Sequence, residues 1–161
     1  MSDSINPSDA TRADSPVLYF QRKAADPAWP LPARGSEWAS GLDLSACVDA
    51  DLTINAGEIK LIPTGWAVAV PHGYEGQVRP RSGVAAKLGL TVINTPGTVD
   101  SDYRGEIFIA LVNLSGEPRA VSRGQRLAQL VICPVIRPQA VLVEELTETV
   151  RGSGAFGSTG A

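Results

Sequence analysis

A turn rich in carboxylates separates two apolar runs near the middle of this 161-residue chain. Residues 94–107 read Asn-Thr-Pro-Gly-Thr-Val-Asp-Ser-Asp-Tyr-Arg-Gly-Glu-Ile. The flanking runs predict a β-hairpin whose Pro96-Gly97 tip exposes backbone amides, while Asp100 and Tyr103 hold fixed positions. Backbone amides and carbonyls can imitate a base-pairing edge, and a nearby carboxylate can take a proton from water. The pattern therefore suggests a pocket for a flat ligand and the hydrolysis of a nucleotide.

Two other segments have the composition of an anion site. In residues 80–83, Pro-Arg-Ser-Gly, Ser82 is placed as a possible cap of a short helix, so amides, a hydroxyl and the Arg81 charge converge. In residues 151–160, glycine amides, hydroxyls and Arg151 suit a triphosphate, and Phe156 could stack on a base. The simpler interpretations are an ordinary capped helix start and a disordered glycine-serine tail.

Two polar residues interrupt apolar runs. Asp43 lies between Leu42 and Leu44, and Gln129 is the only polar residue in the run 127–132. An aspartate close to a glycine is usually a turn residue, and a buried glutamine needs hydrogen-bond partners, which a core amide can find in the backbone. Either residue could equally face a ligand.

Composition and charge narrow the class of protein. The net charge of −3 argues against general nucleic-acid binding. An anionic ligand therefore has to be bound through local contacts. Cys47 and Cys133 lie far apart with only His72 for company, which argues against zinc and for reduced thiols. No signal peptide or membrane span is apparent, so we expect a soluble, cytoplasmic protein. His72 receives no role.

The rest of the chain predicts a single all-β domain. Its 16 Gly and 12 Pro punctuate short runs rich in Val, Ile and Leu, which is the rhythm of a β-barrel or jelly roll. We predict strands at 17–22, 42–47, 58–62, 66–70, 74–80, 90–94, 107–113, 128–135 and 141–146, and one helix at 82–88. Both alternating sets of the run 107–112 are apolar, so both faces of that strand should be covered, within the chain or by a neighbouring subunit. Trp29 and Trp38 are expected to be packing anchors, and Asp102 and Arg104 a stabilising pair.

Five segments, in order, resemble the motifs of the homotrimeric dUTP pyrophosphatase (dUTPase) family. They are residues 40–46 (SGLDLSA), 80–87 (PRSGVAAK), 94–107 (NTPGTVDSDYRGEI), 123–132 (RGQRLAQLVI) and 151–160 (RGSGAFGSTG). The resemblance spans about residues 17 to 160, and the order of five motifs makes chance agreement very improbable. Ser40, Leu42 and Ala155 depart from the family pattern, and Ala155 replaces a glycine that closure of the tail could require.

The resemblance implies a role for each site residue. Asp100 would be the base that deprotonates the attacking water, and Asp43 a supporting residue that orients an arginine. The Tyr103 ring would pack against the deoxyribose and exclude ribonucleotides by sterics. The implied substrate-binding residues are Arg81, Ser82, Gly83, Asn94, Gly97, Thr98, Val99, Tyr103, Gln129, Arg151, Phe156, Gly157, Ser158 and Thr159.

The resemblance also implies the reaction and the assembly. The reaction is hydrolysis of dUTP to dUMP and pyrophosphate, which keeps uracil out of DNA and supplies dUMP for thymidylate synthesis. Mg²⁺ would be held mainly by the substrate phosphates, without protein ligands. The implied fold is an all-β, jelly-roll-like β-barrel with one short helix, forming a homotrimer with shared active sites. Its parts would be a disordered segment (1–15), a β domain (16–150) and a C-terminal arm that closes the site (151–161).

Two other functions fit parts of the pattern. A dCTP deaminase of the sister family shares the implied fold, but that family typically shows Arg-Ser-Ser where this chain has Arg81-Ser82-Gly83. A module that binds dUTP and signals to a protein partner would keep the pocket and treat catalysis as incidental. An Asp100→Asn substitution distinguishes a housekeeping enzyme from a signalling module, because signalling should survive the loss of hydrolysis and a housekeeping role should not.

Overall fold

The computed structural model describes residues 16–155. The segment 1–15, predicted to be disordered, and residues 156–161 of the predicted arm lie outside the described part. The elements are, in chain order, β1 (Tyr19–Arg22), β2 (Gly41–Ser45), β3 (Leu52–Ile54), β4 (Ile59–Ala69), β5 (Tyr74–Pro80), α1 (Ser82–Leu88), β6 (Leu90–Val92), β7 (Gly97–Val99), β8 (Glu106–Asn113), β9 (Arg119–Val121) and β10 (Arg126–Pro134).

Two four-stranded antiparallel sheets enclose the core. One has the order β1-β4-β8-β6, the other has the order β2-β10-β5-β7, and β3 pairs with β9 in a small third sheet. A single cluster of buried side chains contains Ile62 and Ile109 from the first sheet and Leu44, Val78 and Leu130 from the second. The prediction of an all-β, jelly-roll-like fold with one short helix is confirmed.

Strand β8 has one fully buried face. Ile107, Ile109 and Leu111 are at most 2% exposed, as the alternation of side chains along a strand requires. On the opposite face Val112 is buried, whereas Phe108 is 46% exposed. The predicted cover is therefore present within the chain at Val112, while at Phe108 it would have to come from a neighbouring subunit.

Strand β4 is longer than the sequence indicated. The predicted strands 58–62 and 66–70 form one strand, in which the pairing to β8 shifts register between Pro63 and Ala67. Gly65 lies in this shift with φ of +76°, a conformation that glycine adopts without strain. The short strands β3 and β9 were not predicted, and the predicted strand at 141–146 is wrong, because those residues form no strand.

Hydrogen bonds from two tryptophan side chains hold the proline-rich segment before β2. The Trp29 Nε1 donates to the carbonyl of Thr64 at 2.8 Å, and the Trp66 Nε1 donates to the carbonyl of Pro30 at 3.0 Å. Trp29 is buried, as a packing anchor should be, but Trp38 is 72% exposed. The prediction of a packing role is therefore wrong for Trp38.

Both cysteines are free thiols in the described fold. Burial raises the pKa of the Cys47 thiol, and the nearby Arg123 guanidinium partly opposes that increase. Within residues 16–155, no helix has the length and apolar character needed to cross a membrane.

Candidate functional site

The carboxylate-rich turn connects the two main sheets. Strand β6 pairs with β8, as the predicted hairpin requires, but the connection between them contains β7, which pairs with β5 in the other sheet. The prediction of a simple hairpin with a Pro96-Gly97 tip is therefore wrong. Strand β7 takes the place of the predicted tip in the connection from β6 to β8. The Thr95-Pro96 peptide bond before β7 is cis. Asp100 follows β7 directly and is exposed, while both its neighbours, Val99 and Ser101, are buried.

The turn after Asp100 is held by hydrogen bonds within itself. The Tyr103 amide donates to the Asp100 carbonyl at 3.1 Å, and the Tyr103 hydroxyl donates to the Glu106 carbonyl at 2.9 Å. Arg104 donates to the carbonyls of Ser101 and Tyr103 at 2.8 and 2.7 Å. Arg104 thus binds the backbone, and the expected pairing with Asp102 is not among the ion pairs of the described residues.

A pocket of about 180 Å³ lies beside β7. Its lining residues are Val78, Asn94, Gly97, Thr98, Val99, Tyr103, Glu106, Ile107 and Phe108. The Asn94 side chain packs over Gly97, where a Cβ atom would lie 3.2 Å from Asn94 Nδ2. Backbone, amide and aromatic groups thus surround this space, and Asp100 follows its lining residue Val99 in the chain without lining it.

A second pocket, of about 300 Å³, lies at the start of helix α1. Its lining residues are Arg81, Ser82, Gly83, Val84 and Lys87. Arg81 is the N-cap residue and no side chain caps the helix, so the prediction of Ser82 as the cap is wrong. Ser82 is instead the first helical residue, and its side chain lines the pocket. Sequence reasoning missed Lys87, although its spacing of four residues from Gly83 puts it on the same helix face.

Asp43 links strand β2 to two arginines. One carboxylate oxygen lies 3.2 Å from Arg81 Nε, and the other accepts a hydrogen bond from Arg126 Nη1 at 3.0 Å. The Asp43 side chain is 16% exposed, whereas that of Arg126 is 56% exposed. A mostly buried carboxylate therefore keeps two positive charges together beside the helix start.

Gln129 lies directly opposite Asp43 in the β2–β10 pairing. It is half-buried, and its Nε2 donates to the carbonyl of Pro80 at 3.1 Å. A Cβ atom on Gly41 would lie 2.9 Å from Gln129 Cβ, closer than real side chains approach. Glycine at position 41 therefore makes room for the glutamine next to the arginine pair.

The fold brings the candidate residues together in two groups. Asp43, Arg81, Ser82, Gly83 and Gln129 gather at the helix start, and Asn94, Gly97, Thr98, Val99 and Tyr103 line the pocket beside β7. Asp100 directly follows β7 but lines neither pocket. Arg151 donates to the Gly154 carbonyl at 2.9 Å, and within residues 16–155 no hydrogen bond or ion pair joins it to either group. Phe156, Gly157, Ser158 and Thr159 lie outside the described residues.

The described residues contain no cluster of three or more histidine, cysteine or carboxylate side chains that could hold a metal ion. Cations of the protein, by contrast, are concentrated near Asp43 and at the helix start. The positive charges give the site the chemistry to receive a polyphosphate.

Comparisons with known proteins agree on one family. The family model described as dUTPase matches residues 27–160. The deoxyuridine 5'-triphosphate nucleotidohydrolase of Desulfotalea psychrophila is 55% identical over 130 residues, which cover 81% of this chain and 87% of that protein. The protein of the same name from Caldanaerobacter subterraneus subsp. tengcongensis is 53% identical over 144 residues, covering 89% and 97%.

Solved structures show the same fold. A mutant dUTPase of Staphylococcus bacteriophage 80alpha with dUpNHpp matches with a TM-score of 0.75 and 26% identity, covering 90% of this chain and 99% of that chain. A mutant dUTPase of phage phi11 of S. aureus, described as coordinating a structural Mg(II) ion, matches with a TM-score of 0.70 and 28% identity, covering 80% and 97%.

Proposed function

Because this chain belongs to the dUTPase family and hydrolyses dUTP to dUMP and pyrophosphate, we propose that Asp100 is the base of this reaction. The observation that supports this role is the position of Asp100 at the end of β7. Its side chain is exposed one residue after Val99, which lines the pocket, and buried Val99 and Ser101 hold the backbone on both sides. A carboxylate held in this way can take a proton from water at a constant place.

The pocket beside β7 binds the uracil and the deoxyribose. Amides and carbonyls of residues 97–99, with the Asn94 side chain, provide donors and acceptors for the edge of the base. The Tyr103 ring, whose hydroxyl is bound to the Glu106 carbonyl, provides a surface for the sugar. A ring in this position leaves no room for a 2′-hydroxyl, so ribonucleotides are excluded by sterics.

The triphosphate lies at the start of helix α1. Arg81 supplies charge, Ser82 a hydroxyl, and Gly83 an open backbone, since a Cβ atom there would meet nothing within 4 Å. Asp43 orients Arg81, and Gln129 contacts a phosphate or a bound water. Water then forms a bond to the α-phosphorus, its proton passes to Asp100, and the bond from the α-phosphorus to the pyrophosphate oxygen breaks.

We also propose a magnesium requirement. Mg²⁺ would be held mainly by the substrate phosphates, and when bound it would offset their negative charge. The described residues offer cations, Arg81 among them, for the phosphates that would hold the ion. A cytoplasmic location stays a prediction.

The active sites are shared within a homotrimer. In one chain the pocket beside β7 and the pocket at α1 are separate cavities with no lining residue in common. The outer face of β4 and β8 carries an apolar patch formed by Ile59, Leu61 and Phe108, which are 51%, 67% and 46% exposed. A neighbouring chain that covers this patch would exclude it from water and could complete a site.

The C-terminal arm, residues 151–161, closes the site on the substrate. Arg151 and the hydroxyls of Ser158 and Thr159 bind phosphates, Gly157 contributes an amide, and Phe156 stacks on the base. These roles rest on the family motif, and Arg151, whose Nε donates to the Gly154 carbonyl, is exposed. Residues 137–150, which precede the arm, form no helix or strand and are exposed, so a neighbouring chain can contact them.

A direct assay tests this proposal. Pyrophosphate release is measured with Mg²⁺ from dUTP, UTP, dTTP and dCTP, using the wild type and Asp100→Asn. We expect release from dUTP alone, at least 100-fold slower in the variant, because positioned bases contribute about 10²–10⁴-fold. Unchanged dUTP hydrolysis in the variant would exclude Asp100 as the base. Ammonia released from dCTP would indicate the deaminase instead, and a regulatory module would bind dUTP without hydrolysing it.

A further inference from the structure

The hydroxyl of Ser101 is a meeting point of three chain segments. Ser101 follows Asp100 and is only 3% exposed. Arg137 Nη2 donates a hydrogen bond to Ser101 Oγ at 3.1 Å, and His72 Nδ1 lies 3.4 Å from the same oxygen. Arg137 and His72 are themselves exposed, so they form a polar cover over a buried hydroxyl.

The two covering segments are joined to each other. The Val135 amide donates to the Gly73 carbonyl at 2.8 Å, which ties the chain before Arg137 to the turn that carries His72. That turn is closed by the Tyr74 amide, which donates to the Pro71 carbonyl at 3.2 Å. The cover is thus a connected unit over the Ser101 hydroxyl.

The hydrogen-bonding capacities of the three side chains are complementary. The Arg137 guanidinium only donates, so it occupies a lone pair of the Ser101 oxygen. The Ser101 hydroxyl proton is then free to donate to His72 Nδ1 when that nitrogen carries no proton. The bond from Arg137 is charge-assisted and hence stronger than a bond between neutral groups. The Ser101 side chain is therefore restrained both as an acceptor, by Arg137, and as a donor, by His72.

The restraint acts one residue away from the proposed base. From Gly97 to Ser101 burial alternates, with Gly97, Val99 and Ser101 buried and Thr98 and Asp100 exposed. Strand β7 ends at Val99, so at Asp100 and Ser101 it is the inward fixing of the Ser101 side chain that restrains the backbone from which the exposed Asp100 side chain projects. Val99 fixes the other side through its pairing with Gly76.

We propose that His72, Ser101 and Arg137 are positioning residues that fix the orientation of the Asp100 carboxylate. The inference rests on the proposed role of Asp100 as the base. A displacement of about 1 Å can cost about 100-fold in rate, so we expect His72→Ala and Arg137→Met each to lower kcat about tenfold. KM should change less, because base and phosphate contacts come from other residues and the Tyr103–Asp100 backbone bond does not involve the serine hydroxyl.

The decisive test is a set of coupled substitutions. Steady-state dUTP hydrolysis is measured for His72→Ala, Arg137→Met, Ser101→Ala and the two double variants that contain Ser101→Ala. Both covering side chains act through the Ser101 oxygen. His72→Ala and Arg137→Met should therefore lower kcat little further in a chain that already carries Ser101→Ala. His72→Asn and Arg137→Lys, which retain an acceptor and a donor, should recover part of kcat. Lys23→Met, which removes an exposed charge elsewhere, is the control.

The outcomes separate this inference from the proposed function. If Asp100→Asn abolishes hydrolysis but His72→Ala and Arg137→Met keep wild-type kcat, the positioning role is wrong and the base is retained. Losses of kcat that multiply in the double variants, or that only follow a lower unfolding temperature, would also contradict positioning. Full activity of Asp100→Asn would overturn both proposals.

Discussion

Arg126 Nη1 lies 3.0 Å from Asp43 Oδ2, so an ion pair joins residues that are 83 positions apart in the chain. The other oxygen of the same carboxylate lies 3.2 Å from Arg81 Nε. Two guanidinium groups would repel each other without the negative charge between them. Asp43 therefore sets where positive charge is available at the helix start.

Asp43→Asn should weaken binding of the triphosphate. The substitution keeps the shape of the side chain but removes the charge that orients both arginines. A hydrogen bond to a charged group contributes about 1.5–3 kcal/mol, so we expect KM for dUTP to rise about 10- to 100-fold. Asp26→Asn, which breaks the pair with Arg123 outside both pockets, is the matched control. An unchanged KM in Asp43→Asn would show that the arginines are positioned by other groups.

Gly41→Ala should disturb Gln129. The added Cβ would lie 2.9 Å from Gln129 Cβ, and overpacking of this kind costs about 1–3 kcal/mol. We expect a lower free energy of unfolding in urea and a higher KM for dUTP. Gly116→Ala is the control, because a Cβ there would meet nothing within 4 Å. Equal stability of the two variants would mean that the glutamine moves aside without cost.

Gly65→Ala should be more destabilising than Gly57→Ala. The two glycines have nearly equal φ, +76° and +75°, so both substitutions carry the strain of about 1–2 kcal/mol for an L-residue there. Only at Gly65 would the Cβ also meet Trp29 Nε1 at 2.8 Å and Cys47 Sγ at 2.9 Å. The difference between the free energies of unfolding of Gly65→Ala and Gly57→Ala measures the cost of crowding against Trp29. A difference of zero would show that this crowding costs nothing.

Leu61→Asp should dissociate the proposed trimer. Leu61 is 67% exposed in the single chain and lies in the apolar patch with Ile59 and Phe108. A carboxylate buried by a neighbouring chain would lack a partner, and its desolvation opposes assembly. Sedimentation velocity should show a trimer for the wild type and for Leu61→Met, and smaller species with little dUTP hydrolysis for Leu61→Asp. A trimeric Leu61→Asp would exclude this face as the interface.

Glu58 should make stability depend on pH in the acid range. The Asn55 amide donates to its carboxylate at 2.7 Å and lowers its pKa below the ordinary value of 4.5. A carboxyl whose pKa is lower folded than unfolded stabilises the fold above the unfolded pKa, and this contribution is lost as pH falls through the folded value. The unfolding temperature of Glu58→Gln should therefore vary less with pH below 4.5 than that of the wild type. Glu145→Gln, at an exposed position, is the control.

Local patterns were enough for two of the elements that carry the site. Strand β5 (Tyr74–Pro80) and helix α1 (Ser82–Leu88) have the bounds expected from sequence. Alternation, a proline and a run of helix formers are short-range signals, and here the tertiary structure agrees with them. The strands β3 and β9, of three residues each, were missed because so short a stretch contains no measurable period.

The order of five motifs in the sequence determined the family and the residue types available for chemistry. Only the tertiary structure decided that Arg81 rather than Ser82 is the N-cap, that β7 leaves the predicted hairpin to pair with β5, and that Trp38 is exposed. It also brought His72 and Arg137, 29 and 36 positions from Ser101, onto one hydroxyl. Such contacts depend on how strands from distant parts of the chain pack together, and neither spacing nor composition encodes that arrangement locally.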